Sequence, residues 1–335
     1  MDEIVIIGGG VGGLALALAL HAARVPCRVY EAAPEIRPIG VGINLLPHAT
    51  QVLAGLGLEP ALARVAVATQ EAVFYNRFGQ LIYREPLGRD AGYAHPQFSI
   101  HRADLHAVLL DAFRERVGAD RLHLGWKCTG FTQDDAAVTL AFVDAAGAPR
   151  PAQRAAAVVG ADGIHSAIRR QLFPAEGPPK YSGVNMWRGA TVWPRFLSGA
   201  SMVRAGWLAN GKMVIYPIRN DVDGAGRQLV NWVAEIETPK HESRDWNRAG
   251  RLEDFIGAFA DWHFDWLDVP ALIRGAERIL EFPMVDQDPL PHWTVGRVTL
   301  LGDAAHPMYP RGSNGAGQAI LDARCLAGLL AGGRD

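Results

Sequence analysis

The chain has 335 residues, of which 49% are hydrophobic and 20% charged, so a mostly disordered protein is excluded and about two domains of roughly 150 residues are expected. Its 33 Lys and Arg residues nearly balance 35 Asp and Glu residues, which argues against a protein built to bind nucleic acid phosphates. The three cysteines, Cys27, Cys128 and Cys325, lie far apart. They favour neither a disulfide framework nor a metal site, and a reducing cytoplasm is expected.

The N-terminus carries no sign of a targeting or membrane segment. Two acids follow Met1, where a signal peptide carries basic residues. The apolar run from Ile4 to Leu20 is 17 residues long, which is short for a membrane-spanning helix, and its glycines favour a strand, a turn and a helix. We therefore expect no integral membrane segment.

The first predicted elements alternate between strand and helix. Short apolar runs rich in β-branched residues indicate buried parallel strands, and runs rich in Leu and Ala indicate helices. In chain order, these elements are a strand at Glu3–Ile7, a helix at Val11–Ala23, a strand at Cys27–Glu31, a helix that follows residues 40–48 and ends at Leu56, and a short helix at Leu58–Val67.

The middle of the chain mixes hairpins with a helix. A Gly79 turn between alternating runs indicates a β-hairpin. The predicted elements are a hairpin at Ala72–Arg84, an amphipathic helix at Arg102–Val117, and strands at Leu122–Thr129, Val138–Val143 and Ala156–Gly160.

From about residue 181 the pattern becomes rich in antiparallel strands and tryptophan. The predicted elements are strands at Val184–Val192, Lys212–Ile218, Gln228–Glu235 and Arg297–Leu301, and a last helix at Gly317–Leu330. Asn-Gly and Asp-Gly pairs supply turns between such strands. The predicted class is therefore α/β, with a Rossmann-type nucleotide-binding domain and an interleaved antiparallel β-sheet domain.

A glycine-rich turn follows the first strand. Gly8, Gly10 and Gly13 match G-x-G-x-x-G, which permits a tight turn, a close pyrophosphate and close helix–strand packing. Glu31 lies 18 residues past Gly13, at the end of the second strand, where a carboxylate can accept hydrogen bonds from a ribose. The alternative is a turn that binds nothing, and the turn alone does not distinguish FAD from NAD.

Two further motifs each join a buried strand to an acid. Residues 158–170 contain Asp162-Gly163, and residues 298–307 contain Gly302-Asp303. The three motifs occur in the order and spacing of the flavin-dependent aromatic hydroxylases, the single-component group that includes p-hydroxybenzoate hydroxylase, and the chain resembles that family.

Other stretches extend this resemblance over nearly the whole chain. They are similar to the phenazine-hydroxylating members of the family and comprise residues 35–44, 186–189, 245–248, 283–293 and 313–322. Because relatives share a scaffold more reliably than a substrate, the family assignment carries more weight than the phenazine assignment.

The resemblance implies an FAD site. Asp303 would bind the ribitol, Arg102 the phosphates, and a helix starting at Gly315 the flavin's pyrimidine edge. A surface arginine and a plain strand-end turn remain the alternatives for Arg102 and Asp162-Gly163. The expected cofactor residues are Gly8, Gly10, Gly12, Gly13, Glu31, Val41, Gly42, Arg102, Cys128, Asp162, Gly163, Gly302, Asp303, Pro310, Gly315 and Ala316.

The resemblance also implies the division of the chain and its reaction. Residues 1–70, 97–180 and 280–335 would form the FAD-binding domain, and residues 71–96 and 181–279 the substrate domain. NADH or NADPH would reduce FAD, and O2 would then hydroxylate an electron-rich aromatic through a C4a-hydroperoxyflavin. The rivals are an FAD-dependent dehydrogenase or oxidase on the same fold and a non-catalytic flavin-binding redox sensor. A monomer or homodimer is expected.

The expected substrate lies between the flavin and the β-rich insert. Arginines there could pair with a substrate carboxylate, with no choice possible among Arg188, Arg204 and Arg311. Met308 and Pro310 are expected near the flavin ring. The candidate substrate residues are Trp187, Arg188, Arg204, Trp207, Tyr216 and Trp232. Ordinary sheet core is the alternative for the aromatic ones.

No side chain is assigned as a catalytic residue, because the flavin carries the chemistry. His306 belongs to the Gly302-Asp303 motif and is expected to be structural. Members of the family usually continue with further helices, so an exposed apolar flank at Leu326, Leu329 and Leu330 is expected.

Overall fold

The computed structural model describes residues 3–36, 40–238 and 249–332. The similar stretch at residues 245–248, and residues 37–39 of the stretch at 35–44, lie outside the described residues. The strands are β1 (Ile4–Ile7), β2 (Cys27–Glu31), β3 (Gly42–Leu45), β4 (Val67–Thr69), β5 (Glu71–Tyr75), β6 (Leu81–Pro86), β7 (Gln97–His101), β8 (Leu122–Leu124), β9 (Lys127–Gln133), β10 (Val138–Val143), β11 (Pro149–Ala155), β12 (Ala157–Gly160), β13 (Lys180–Trp193), β14 (Ser201–Gly206), β15 (Lys212–Arg219), β16 (Gln228–Glu237), β17 (His263–Phe264), β18 (Leu267–Asp268), β19 (Ile279–Asp286), β20 (Thr294–Val295) and β21 (Val298–Leu300).

The α-helices lie between these strands. They are α1 (Val11–Ala22), α2 (Pro47–Gly55), α3 (Glu59–Val65), α4 (Arg102–Phe113), α5 (Ala167–Leu172), α6 (Val269–Arg274) and α7 (Gly315–Gly332). Among the described residues, no helix combines the length and the apolar character needed to cross a bilayer.

A six-stranded sheet, mostly parallel, organises the first layer. Its strand order is β20-β21-β12-β1-β2-β8, and only β20 runs antiparallel to its neighbour. All four residues of β1 are buried, as expected for a central parallel strand covered on both faces. Helix α1 packs against α4 and α7 on one side of this sheet. The predicted α/β class is confirmed.

A seven-stranded sheet forms the second layer. Its order is β19-β13-β16-β15-β14-β5-β6, drawn from residues 71–86 and 180–286. All its pairs are antiparallel except β14 with β5. One face packs on an aromatic core that includes Trp262, Phe255 and Phe259. The other face looks toward the first layer across a cavity.

Three smaller sheets complete the fold, and several strands of the structure differ from the sequence expectation. The strand predicted at Leu122–Thr129 is two strands, β8 and β9, because Gly125 adopts φ +69° between them and turns the chain. Strand β11 was not predicted, since its sequence is polar and begins with proline. The remaining sheets are β11-β10-β9, β3-β7-β4 and β17-β18.

The helix predicted at Arg102–Val117 is α-helical only as far as Phe113. Residues 114–118 continue it as a π-helical turn that ends at Gly118, which has φ +117°. The last helix begins at Gly315, two residues before the start predicted from the local pattern and at the start that the family resemblance implies. In that helix Leu329 is 70% exposed, whereas Leu326 and Leu330 are half-buried.

Candidate cofactor and substrate site

The glycine-rich turn leads from β1 into α1 with little space for side chains. Gly8 has φ +109°, and a Cβ there would lie 2.3 Å from the carbonyl oxygen that follows β12. A Cβ on Gly13 would lie 2.0 Å from the Gly8 oxygen, and one on Gly12 would meet a core leucine at 2.7 Å. Gly10 differs: it precedes α1 without a side-chain cap, and nothing lies within 4 Å of an added Cβ. The free N–H groups of the helix therefore face open space, as a pyrophosphate requires.

Glu31 ends β2 beside this turn. Its Oε2 accepts a hydrogen bond from the Gly9 N–H at 2.7 Å, and its Oε1 accepts one from the Ala33 N–H at 2.8 Å. The Gly9 carbonyl oxygen lies 2.7 Å from Nε2 of His106. The carboxylate is thus fixed in orientation, and it keeps lone pairs for further donors such as ribose hydroxyls.

Asp162 and Gly163 follow β12 at the same edge of the sheet. Asp162 Oδ2 accepts a hydrogen bond from the Ala167 N–H at 2.7 Å, at the start of α5. Its Oδ1 is buried and has no partner within the described residues. Burial raises the pKa of Asp162, and the hydrogen bonds it accepts oppose that rise. Gly163 has φ +74°, which allows the turn.

Asp303 follows β21 in a turn that opens with Gly302 at φ +61°. Its carboxylate is reached by solvent from the cavity, yet most of its surroundings are protein. Burial raises the pKa of Asp303, and the positive charges of His306 and Arg102 oppose that rise.

The turn at Asp303 is held by a histidine and an acid from α7. Asp322 Oδ2 accepts the Gly302 N–H at 3.0 Å and lies 2.7 Å from Nε2 of His306. This hydrogen bond raises the pKa of His306. His306 is therefore bound to Asp322, in agreement with a structural role.

Arg169 links the second motif to the third. Its buried guanidinium donates to the carbonyl oxygens of Ala304 and Ala305 at 2.9 and 2.8 Å, and it pairs with Glu176. Arg169 falls within the motif at residues 158–170, and the sequence did not predict a role for it. Its position in α5, directly after Asp162-Gly163, was the available signal.

The Gly42 peptide joins the two layers. Its N–H donates to Oδ1 of Asn231 at 2.7 Å, and its oxygen accepts from Arg188 and from the Tyr216 hydroxyl at 3.1 Å. A Cβ on Gly42 would lie 2.7 Å from Cβ of Asn231, so only glycine fits. The preceding Val41 oxygen accepts the Arg102 N–H at 3.0 Å.

A cavity of about 650 Å³ separates the two layers. It brings together cofactor candidates from one layer and substrate candidates from the other. On the first side it is lined by Asp303, Pro310, Gly315 and Ala316, with Met308 beside them. On the seven-stranded sheet it is lined by Arg188, Arg204, Trp207 and Tyr216.

Trp187 and Trp232 face the opposite side of the seven-stranded sheet. Trp187 stacks on Phe255 with ring centroids 4.9 Å apart, and Nε1 of Trp232 donates to Thr191 at 3.2 Å. Side chains alternate along a strand, and their neighbours Arg188 and Val233 line the cavity. This corrects the expectation that the two tryptophans form a wall of the substrate space.

Cys128 lies in β9 and is not among the residues that line the cavity. Burial raises the pKa of its thiol to about 12, and Sγ lies 3.7 Å from the Gly130 oxygen. The thiol is therefore not a reactive group.

The cavity wall also carries a charged pair that was not predicted from the sequence. Lys212 Nζ lies 3.0 Å from Oε1 of Glu235, whose other oxygen lies 4.0 Å from Nε of Arg311. Asn44 and Phe74 also line the cavity. For the pair, the alternation of β15 and β16 was the available signal, because Lys212 and Glu235 are directly opposite each other.

This arrangement defines a class of protein. An α/β chain that presents a helix N-terminus to a pyrophosphate, a carboxylate to a ribose and a large cavity to a ring system is a dinucleotide-binding protein, and the donors present fit FAD.

The comparisons with known proteins give the family. The sequence model of the FAD binding domain family matches residues 1–332. Phenazine 1,6-dicarboxylic acid hydroxylase PhzS of Lysobacter antibioticus is 44% identical over 99% of this chain and 83% of its own length. The 3-amino-4-hydroxybenzoate 2-monooxygenase PtnB3 of Streptomyces platensis is 38% identical over 98% of this chain and 79% of its own length.

Solved structures agree in fold. Klebsiella pneumoniae HpxO complexed with FAD and uric acid superimposes with a TM-score of 0.82 at 24% identity, covering 99% of this chain and 81% of that one. A salicylate hydroxylase substrate complex gives a TM-score of 0.77 at 25% identity, covering 100% and 80%. The chain belongs to the FAD binding domain family, and it is a flavin-dependent monooxygenase of the aromatic hydroxylase group with FAD as its cofactor.

Proposed function

We propose that this enzyme hydroxylates a planar, electron-rich aromatic acid of the polycyclic, phenazine type, with O2 and NADH or NADPH as co-substrates. The observation that supports this most directly is the cavity of about 650 Å³, which is large enough for a ring system beside a flavin. Its wall combines four cationic side chains with aromatic and aliphatic ones. The relative with 44% identity is named for a phenazine dicarboxylic acid.

We propose that FAD lies along the edge formed by the three motifs. The N-terminus of α1 would bind the pyrophosphate with Arg102 nearby, and Glu31 the adenosine ribose. Asp303 would bind the ribitol, and the start of α7 at Gly315 and Ala316 would face the negatively charged edge of the reduced ring. When bound, FAD takes electrons from NAD(P)H and activates O2 for transfer to an aromatic ring.

The chain's own residues bind and orient the substrate and exclude water. Trp207, Tyr216, Met308 and Pro310 supply flat or apolar surface for the ring. The clamped Gly42 peptide fixes the distance between this surface and the proposed flavin position. No side-chain nucleophile is required. Asp162-Gly163 and Gly302 shape the turns, and Cys128 would contact the adenosine half through its backbone alone.

The rival functions are less well supported. An FAD-dependent dehydrogenase or oxidase would be reduced by its organic substrate, and a redox sensor would show no substrate-stimulated use of NAD(P)H. The similar proteins reported above are named as hydroxylases and monooxygenases, which favours oxygen transfer.

The test is aerobic oxidation of NADH and NADPH by the FAD-loaded enzyme with a panel of aromatic acids. The panel comprises phenazine-1-carboxylate, phenazine-1,6-dicarboxylate, quinoline carboxylates and simple benzoates, with product mass measured for each. We expect a gain of one oxygen for at least one polycyclic acid. Recovery of every aromatic acid of the panel unchanged would contradict the proposal.

We further propose that residues 71–96 and 181–279 act as a substrate domain and that residues 1–70, 97–180 and 280–335 bind FAD. The origin of the seven-stranded sheet from residues 71–86 and 180–286 supports this division, although β19 crosses its last boundary. A cytoplasmic location and a monomeric or homodimeric state stay predictions.

A further inference from the structure

One row of side chains crosses the cavity face of the seven-stranded sheet. Arg188 pairs with Val233, Val233 with Val214, Val214 with Arg204, and Arg204 with Phe74. All five side chains line the cavity. The row therefore has an aliphatic centre with an arginine at each side of it.

Arg188 already has a backbone partner within the protein. Its half-buried guanidinium donates to the Gly42 oxygen, which the Tyr216 hydroxyl also contacts, while its Nε has no partner among the described residues. Removal of Arg188 would leave that carbonyl with one donor fewer and release the segment proposed to run beside the flavin. Its contacts therefore indicate a positioning residue for Gly42.

The two other cations of the cavity share one acid. Lys212 lies 3.0 Å and Arg311 4.0 Å from the carboxylate oxygens of Glu235, which is only 5% exposed. An incoming carboxylate would compete with Glu235 for these groups and would meet its negative charge.

Arg204 alone among the four is not engaged by an acid or a carbonyl in the described part of the chain. Its guanidinium lies 5.4 Å from the ring centroid of Phe74. A guanidinium over an aromatic face keeps its N–H donors free in its own plane, where a carboxylate can accept two of them.

We propose that Arg204 is the residue that binds the carboxylate of the aromatic substrate, at the outer end of the cavity. The proposal rests on the proposed function and names the recognition element within that site. Tyr83, which follows Phe74 in the row, is 56% exposed, and Trp207 is 75% exposed, so this end of the row is the mouth.

The geometry of the row also selects for substrate length. Arg188 and Arg204 are three strands apart, which corresponds to roughly 14 Å between their backbones. A tricyclic acid bound at Arg204 would cover both Val214 and Val233 and reach the Gly42 segment. A single ring bound there would end over the valines, so polycyclic acids are preferred.

The test compares an acid with its neutral isostere. The probes are phenazine-1-carboxylate and phenazine-1-carboxamide, titrated into FAD-loaded enzyme and followed by the flavin absorbance change. We expect Arg204→Gln to weaken binding of the acid about 10- to 100-fold, because a charge-assisted pair is lost. Binding of the amide should change by less than about threefold, since neutral hydrogen bonds contribute less.

Two further variants separate this role from a structural one. Arg204→Lys keeps the charge without the planar fork, so it should bind the acid more tightly than Arg204→Gln but less tightly than wild type. Its kcat should stay near the wild-type value, whereas its KM should rise. Arg77→Gln removes a guanidinium that lies 4.6 Å from the Phe78 ring centroid, in the turn between β5 and β6 and outside the cavity lining. It should leave both dissociation constants unchanged.

Three results would overturn the inference. Equal weakening of acid and amide in Arg204→Gln would show a structural role, and unchanged acid binding would show that the carboxylate lies elsewhere. In both cases the wild-type enzyme could still hydroxylate the acid, so the proposed function would stand. If wild-type enzyme neither binds nor hydroxylates any aromatic acid of the panel, the proposed function fails and this inference with it.

Discussion

Glu31 combines two tasks at the end of β2. Its carboxylate accepts the Gly9 and Ala33 N–H groups, and its remaining lone pairs stay available for the proposed ribose. Glu31→Gln replaces one acceptor oxygen by a donor, so a charge-assisted hydrogen bond to FAD is lost. We expect FAD binding to weaken by about 1.5–3 kcal/mol.

Quenching of flavin fluorescence on titration of apoprotein with FAD measures this loss. Asp254→Asn is the control, because Asp254 is exposed and lies outside the cavity lining. A dissociation constant for Glu31→Gln equal to that of the control would remove the ribose role.

For the substrate residues, the sequence predicted which residue types take part better than it predicted the side of the sheet on which each side chain lies. Arg204, Trp207 and Tyr216 line the cavity as expected, but Trp187 points into the aromatic core. Trp187 and Arg188 are neighbours on one strand, so both could not have faced the same side. The alternation was visible in the sequence, whereas the face that meets the cavity depends on contacts with distant segments.

Helix α5 is joined to the Asp303 turn by hydrogen bonds from Arg169, whose guanidinium also forms an ion pair with Glu176. Arg169 is 3% exposed in its side chain and satisfies Glu176 and the carbonyl oxygens of Ala304 and Ala305. Arg169→Gln leaves the Glu176 carboxylate and the two carbonyl oxygens without full partners. We expect the free energy of unfolding to fall by about 3–5 kcal/mol.

Urea unfolding of the FAD-loaded protein measures this change. Arg170→Gln is the matched control, since Arg170 is the exposed neighbour in the same helix and, among the described residues, donates only to the His165 oxygen. Equal unfolding midpoints for the two variants would show that the bridge contributes nothing to stability.

The pair of His306 and Asp322 gives the same turn a pH dependence. The hydrogen bond to Asp322 raises the pKa of His306 in the folded protein. A group with a raised folded pKa stabilises fully below its unfolded pKa, about 6.5 for histidine, and this contribution is lost as the pH rises through the folded pKa. The stability difference between wild type and His306→Gln should therefore be larger at pH 5.5 than at pH 9.

Urea unfolding at both pH values measures this difference. His263→Gln is the control, because His263 pairs with Asp268 at the surface, where such pairs contribute little. A difference for His306→Gln that is the same at both pH values, or larger at pH 9, would contradict the role of the protonated pair.

A regular pattern of apolar residues was sufficient to predict a strand or helix, and a weak pattern was not. Strand β2 and the hairpin of β5 and β6 were predicted because their apolar patterns are regular. Strand β11 was not predicted because its sequence is polar, although it pairs with the preceding strand β10. The small sheet β3-β7-β4 was not predicted because its strands pair with partners that are distant in sequence.

For the whole molecule, the sequence predicted the interleaved layers but not how they meet. The change to alternating, tryptophan-rich sequence near residue 181 marked the start of the long strands of the second sheet. The contact between layers depends on Asn231, Arg188 and Tyr216 converging on one glycine peptide, from strands that are far from Gly42 in sequence. No local pattern indicates such a meeting.

This contact predicts how FAD affects stability. A ligand that binds only the folded state stabilises it by about 2.7 kcal/mol at 100 times its dissociation constant. The proposed FAD site includes the glycine-rich turn, Asp303 and the Gly42 segment. The Gly42 segment is hydrogen-bonded to the seven-stranded sheet. Both layers should therefore gain stability together, with a rise in melting temperature of roughly 3–8 °C.

Far-UV circular dichroism and tryptophan fluorescence report on the two layers in different proportions, because most tryptophans belong to the seven-stranded side. On addition of FAD to apoprotein, we expect both transitions to move by the same amount. ADP, which can occupy only the Glu31 end of the site, should produce a smaller rise that leaves the two transitions less closely matched. A Gly42 peptide hydrogen-bonded to the second sheet would transmit the stabilisation from one sheet to the other. If FAD raises the temperature of the dichroism transition while the tryptophan transition stays in place, the Gly42 contact does not couple the layers.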